Sequence, residues 1–455
     1  MSPRRTGHPL NGLLAEARWS AGDLARAVNA LGTRQGIPLR YDRTAVAHWL
    51  SGSFPRPPAG ELAAQALSQR LNRVVTPDET GLVRAPERAE AGARTPAPRP
   101  DPVGELVALC RSETSPTRRG ALAEIVYDTA FVPPPRRGRP GRTAPRMTHR
   151  VSAGDVVLMR RLTQVFSDLA AAHGGAHART ALAAFLGDDV ARTLRSTAPP
   201  GLRAELFTGA AQLTHVLAAS TEDAGQPGAA QRYYRLALGL AAEAGDPRMR
   251  AIVLRSLSAQ AARLGHRGSA AAYAEEAVRA ARTTADDATV SFTLVQRALT
   301  HALRREGRAS RADMADAERL HERATGRAGP FSVYPRSGLD YQRAEVFHAL
   351  GQRKDAVRAL RQALALRPPE QHRAHALTEA RLTEILLAAG EVEAAVGHGE
   401  RFLHHFAYIR SARAEQALAR LHYGLRAFPQ QADAVALRER AGALAGTRPE
   451  PAQEE

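Results

Sequence analysis

The residues best suited to chemistry in this chain lie between positions 34 and 56. Arg43, Thr44, Ala47 and His48 fall at helical spacing, so a helix carrying them presents all four on one side. Arginine and histidine donate to phosphate oxygens and purine edges, threonine reaches either, and alanine leaves space at a groove floor. Arg34, Arg40 and Arg56 flank the set and suit the sugar–phosphate backbone. The chemistry on offer is recognition of double-stranded DNA rather than bond making. No G-x-x-x-x-G-K-[ST], G-x-S-x-G or H-E-x-x-H pattern occurs, so neither an enzyme nor a cofactor is expected. His173 and His177 have metal-ligand spacing, but Gly174 and Gly175 between them end the helix that would align them. His372, His375, His404 and His405 lack nearby cysteines or paired carboxylates and read as packing or surface residues.

Two helices must position the basic set. Ser20 and Asp23 form a capping box for the first, whose face is Leu24, Ala25 and Val28. Asp42 caps the second, with Val46, Trp49 and Leu50 as its apolar side and Gly52 as its stop. A further helix with Leu62, Ala66, Leu67 and Leu71 covers the core. The order S-x-x-D-L-A…V-x-x-W-x-x-G, in Ser20, Asp23, Leu24, Ala25, Val46, Trp49 and Gly52, resembles the Cro/repressor-like (XRE-like) helix-turn-helix family. It departs from that family in its longer inter-helix loop, read as Gly32 to Tyr41.

Ala and Leu dominate an apolar set of 44% with only 5% aromatics, which predicts an all-α protein. The net charge of +17, carried almost wholly by arginine (Lys354 is the single lysine), points to a polyanionic partner. Cys110, the single cysteine, is expected to fill apolar space beside Leu106 and Leu109. No signal peptide or membrane span is expected, so the location expected is cytoplasmic and nucleoid-associated.

The domains expected are a DNA-binding head over 10–80, a Pro- and Ala-rich linker over 83–102 and a helical middle region over 103–200. An Arg/Pro-rich loop over 133–150 interrupts the middle region, helical repeats fill 201–446, and the tail 447–455 is expected to be disordered. Ser152 and Asp155 cap a long amphipathic helix with Val156, Met159, Leu162, Phe166 and Leu169. In the repeats, small or apolar residues follow a glycine at offsets of 5, 9 and 12. Gly225 leads Ala230, Tyr234 and Ala237. Gly265 leads Ala270, Ala274 and Ala277. Gly351 leads Ala356, Leu360 and Ala363, and Gly390 leads Ala395, Gly399 and Phe402. Gly307 fits only through Ala312, because Asp316 and Arg319 break the pattern. The offsets match tetratricopeptide repeats, and Ala412–Ala427 with Asp433–Gly446 should cap the array. Tyr233, Tyr273, Phe292 and Tyr341 are candidate contacts for a peptide or protein partner in the repeat groove.

Residues 151–196, with the stretch H-G-G-A-H-A-R, and S-L-S-A-Q-A-A-R-L-G at 256–265 resemble a group of actinobacterial regulators with a repressor-type head and a tetratricopeptide body. The resemblance implies a transcriptional regulator, associated with control of differentiation and secondary metabolism, often by repression. A homodimer on DNA is expected, since a single head of this size covers little DNA. The competing reading is a tetratricopeptide scaffold that does not bind DNA specifically.

Overall fold

The computed structural model describes residues 9–34, 39–56, 59–71, 75, 77–82, 101–133, 151–284, 286–325 and 331–446. The chain divides into two compact units, residues 1–100 with 126–131, and residues 101–125 with 132–455. Apart from positions 101, 102 and 133, the expected linker, Arg/Pro-rich loop and tail lie outside the described residues. Among the described residues the fold is all-α, with no β-strand.

The first unit contains α1 (Pro9–Ala17), α2 (Ala21–Arg34), α3 (Arg43–Leu50), α4 (Ala59–Leu71) and α5 (Pro77–Thr80). Its core is built from Leu10, Leu24, Val28, Leu31, Val46, Trp49, Leu62 and Leu67. The capping box forms reciprocally at the start of α2. Ser20 N–H donates to Asp23 at 2.8 Å, and Asp23 N–H donates to Ser20 Oγ at 3.2 Å. The Ser20 hydroxyl, donating to Asp23 at 2.6 Å, together with the Ser20 N–H and with Arg26 nearby, holds the Asp23 carboxyl below the usual carboxylate range. Gly32 lies inside α2 rather than opening the loop, so the connection to α3 is shorter than the sequence reading had it.

The second unit begins with α6 (Pro102–Thr114), α7 (Pro116–Ala123), α8 (Ala153–His173), α9 (Arg179–Phe185), a π-helical turn Leu186–Val190 and α10 (Ala191–Leu194). Six antiparallel helix pairs follow. They are α11 (Pro200–Asp223) with α12 (Pro227–Ala244), α13 (Pro247–Arg263) with α14 (Arg267–Ala281), and α15 (Asp287–Leu303) with α16 (Gly307–Arg323). The remaining three are α17 (Arg336–Ala349) with α18 (Arg353–Ala365), α19 (His372–Leu387) with α20 (Val392–Phe406), and α21 (Ala412–Gly424) with α22 (Ala432–Gly446). Stacked pairs of this kind make a tetratricopeptide-like solenoid. The expected small residues are where the helices meet. Ala230, Ala237, Ala270, Ala274, Ala277, Ala356, Ala363 and Ala395 are all fully buried.

The third repeat corrects the sequence reading. Gly225, Gly265, Gly351 and Gly390 turn the chain with positive φ, and in the third pair that turn is made by Arg305 at φ 64°, not by Gly307. Counted from Arg305, the same offsets select Ser310, Met314 and Ala317, all buried. The repeat is regular, and its turn residue is a strained arginine in place of glycine.

The array closes on itself. Asp223, at the end of α11, accepts from Gly175 N–H at 2.9 Å, Ser411 Oγ at 2.9 Å and Arg373 at 2.6 Å. Arg410 N–H donates to His173 O at 2.8 Å. The first and last pairs of the solenoid are thus clasped together through the end of α8. This explains the H-G-G-A-H-A-R stretch physically. A Cβ on Gly175 would sit 2.4 Å from Ser220 O, and one on Gly174 would sit 2.3 Å from Arg410 O. At the far end of the stretch, Arg179 makes a buried ion pair with Glu113 at 2.8 Å. Cys110 packs in this region, 1% exposed, its thiol pushed up to about 12 chiefly by burial.

Candidate nucleic-acid interface and the interior of the array

α3 is short and held at both ends. Asp42 caps it by accepting from Ala45 N–H at 2.8 Å. Gly52, at φ 103°, turns the chain away after Leu50. Its approach to α2 is fixed by a two-bond clamp. Asn29 Nδ2 donates to Tyr41 O at 2.7 Å, and Tyr41 N–H donates to Asn29 Oδ1 at 2.9 Å. The Tyr41 ring then meets Trp49 edge-on at 5.0 Å. Val46 and Trp49 face the core, at 0% and 4% exposure.

The opposite face is the one expected from the spacing. Arg43, Thr44, Ala47 and His48 are all exposed, as are Arg40 and Arg56. None of these arginines has a carboxylate partner among the described residues, so the face is cationic and open. The side chain of Arg34 lies outside the described residues.

The four aromatic candidates for the groove separate into two pairs. Tyr233 and Tyr273 are 1% and 2% exposed and belong to the core. They are not groove contacts, because the small residues beside them let the helices close over the rings. Tyr233 donates to Leu109 O at 3.4 Å. Phe292 and Tyr341 are half-buried and lie beside a group of arginines that the sequence reading missed. Arg255 stands over the Phe292 ring at 4.4 Å, and Tyr334 packs on that ring at 4.6 Å. Arg263 pairs with Glu222, which also accepts from Tyr234 at 3.1 Å. Tyr341 lies in the fields of Glu345, Arg413, Arg381 and Arg263. These residues come from α11, α12, α13, α15, α17 and α21, with Tyr334 just before α17, so no local spacing announces them. Burial, reinforced by Arg263 and Arg373, pushes Arg413 down to about 10. His215, deep on the same side and near Arg255, is pushed down to about 3 by burial.

The histidines of α19 and α20 stack. His375 lies 4.6 Å from His405, and His372 lies 4.4 Å from Tyr408. Burial and the neighbouring imidazoles push His405 down to about 4. Among the described residues no group of three or more His, Cys, Asp or Glu is placed to hold a metal ion. No described helix is long and apolar enough to cross a membrane.

Residues 10–83 match the family described as the SP15 N-terminal domain. Among solved structures, the chain is similar to one in the crystal structure of the APC/C hetero-tetramer Cut9-Hcn1, at 16% identity and a TM-score of 0.33. That match covers 62% of this chain and spans 46% of the other. No curated protein matches.

Proposed function

We propose that this chain is a sequence-specific DNA-binding regulator of transcription, a repressor of differentiation or secondary metabolism of the actinobacterial kind it resembles. The observation that carries the reading is the outer face of α3. A helix capped by Asp42 and anchored by Val46 and Trp49 turns Arg43, Thr44, Ala47 and His48 to solvent, with Arg40 and Arg56 beside them. A face that served only solvation would have no need to be small at Ala47 while remaining basic around it. The second unit then serves dimerisation or the sensing of an effector or peptide.

The dimer reading rests on α8. Its inner side buries Val156, Met159 and Thr163. On the other side Leu158, Val165 and Leu169 are exposed, and with half-buried Leu162 they follow the alternating four-three spacing of a coiled-coil seam. A second copy of α8 is the partner that spacing fits. Replacing Leu158 and Leu169 together by aspartate should leave a folded monomer in sedimentation; an unchanged dimer would remove α8 from the interface.

The deciding experiment is capture of genome fragments at physiological salt, compared with an Arg43→Ala/His48→Ala variant. A few enriched sites that share a repeated half-site and vanish in the variant support the reading. Diffuse capture that disappears with added salt, equally in both proteins, would leave charge-driven binding only and favour the scaffold alternative.

A further inference from the structure

Inside the closed array, five arginines converge with two carboxylates to balance them. Arg255 and Arg263 come from α13, Arg367 from the segment after α18, Arg373 from α19 and Arg413 from α21. They lie within one another's fields: Arg413 beside Arg263 and Arg373, Arg255 beside Arg263, and Arg367 beside Arg373. Both carboxylates are already engaged. Glu222 is taken by Arg263 and Tyr234, while Asp223 is taken by Arg373, Ser411 and Gly175. Arg255, Arg367 and Arg413 therefore have no ion-pair partner among the described residues. The Nε atoms of Arg255 and Arg367 are moreover buried without any hydrogen-bond acceptor. Arg367 reaches only Thr378 Oγ1, at 3.4 Å.

Uncompensated cations and orphaned donors in a recessed interior are costly unless an anion joins them. The three residues as wholes are half-buried rather than sealed. The clasp at Asp223 ties the ends of the array together, which favours a compact ligand over an extended chain. Convergent arginine forks match a phosphate group, whose oxygens take several charge-assisted bonds at once. We infer that the interior of the array is a binding site for a phosphate-bearing small molecule, held by Arg255, Arg367 and Arg413. The site is independent of α3, so its failure leaves the DNA-binding reading untouched.

The test uses the full chain, titrated with sodium pyrophosphate and separately with adenosine monophosphate, with sodium chloride adjusted to constant ionic strength. Thermal unfolding and calorimetry are the readouts. A saturable rise in Tm, with one ligand per chain, is expected. Arg413→Gln combined with Arg367→Gln should weaken binding at least tenfold, while Arg361→Gln, exposed on α18, should not change it. Stronger binding of the nucleotide would identify an organic phosphate as the ligand, and stronger binding of pyrophosphate an inorganic one; either supports the site. Arg413→Gln should also leave the unliganded protein as stable as before or more so, because it removes a charge from a like-charged group. No saturable response to either probe, an equal loss in Arg361→Gln, a stronger response to an oligoglutamate peptide, or a destabilised unliganded Arg413→Gln would overturn the inference.

Discussion

The two units handle the same residue type in opposite ways. In the first, Arg43 stands on the outside of α3 with Arg40 and Arg56 also exposed, over a core of leucine, valine and tryptophan. In the second, Arg255, Arg367 and Arg413 are half-buried and have no ion-pair partner among the described residues. Exposed cations cost little, because water screens them. Recessed ones raise the energy of the fold until something anionic meets them. On the function proposed above, the exposed arginines around α3 await a polyanion, while the recessed ones await a small anion. Total charge cannot separate the two, whereas burial can.

The comparison can be broken most sharply at the buried pair between Glu113 and Arg179. Burial pushes the Glu113 carboxyl up against the pull of Arg179, so the pair as a whole contributes little. Removing one member strands the other. Glu113→Ala should cost about 3–5 kcal/mol, read by denaturant unfolding of the solenoid; a cost under about 1 kcal/mol would mean that water replaces the carboxylate. Trp49→Ala should cost the head a similar amount, about 3–5 kcal/mol, and unfold it without changing the solenoid transition. A single merged transition in that variant would contradict the division into two units.

Acid should divide the units as well. His405 has a folded pKa near 4 and His215 near 3, both below the ordinary value of 6.5. The unfolded chain binds protons first, so their contribution is fully present above pH 6.5 and is lost as pH falls toward 4. For His405 the loss is at most about 3 kcal/mol, one pKa unit being worth about 1.4 kcal/mol. The solenoid transition should fall in Tm over that window more than the head transition. His405→Gln should flatten the dependence, and an unchanged slope would remove His405 from the cause.

On the head, Arg43→Ala should weaken operator binding by about 1–3 kcal/mol while leaving Tm unchanged, as befits a residue that meets only solvent in the free protein. Unaltered affinity would strike Arg43 from the contacts. The smallest effect expected is a gain. Arg305→Gly relieves a side chain held at φ 64° and should stabilise the solenoid by about 0.5–1 kcal/mol. A loss of stability instead would show that the arginine side chain itself contributes to the turn.

What could be read in the sequence was local. The Ser20–Asp23 and Asp42 caps, the stop at Gly52 and the inward Val46 and Trp49 each depend on residues within a few positions. The repeat offsets were legible for the same reason. The third repeat was misread because glycine was taken as the marker of the turn, when the backbone conformation is the constant and Arg305 adopts it. The clasp was not legible at all, since Asp223 and Ser411 are 188 positions apart. Nor were the interior arginines, which meet only once the solenoid has curled. For Tyr233 and Tyr273 the sequence left both groove contact and core open, because an aromatic residue suits either role, and the packing decides for the core.

The Asp223 clasp has a further consequence for how this molecule can change. An open solenoid tolerates the gain or loss of a repeat, because each unit touches only its neighbours. A ring does not share that freedom. Inserting one helix pair would carry Ser411 and Arg373 past Asp223 and uncouple both from Gly175. The number of repeats is thus part of the closure condition, and the chain can diversify by substitution far more easily than by duplication.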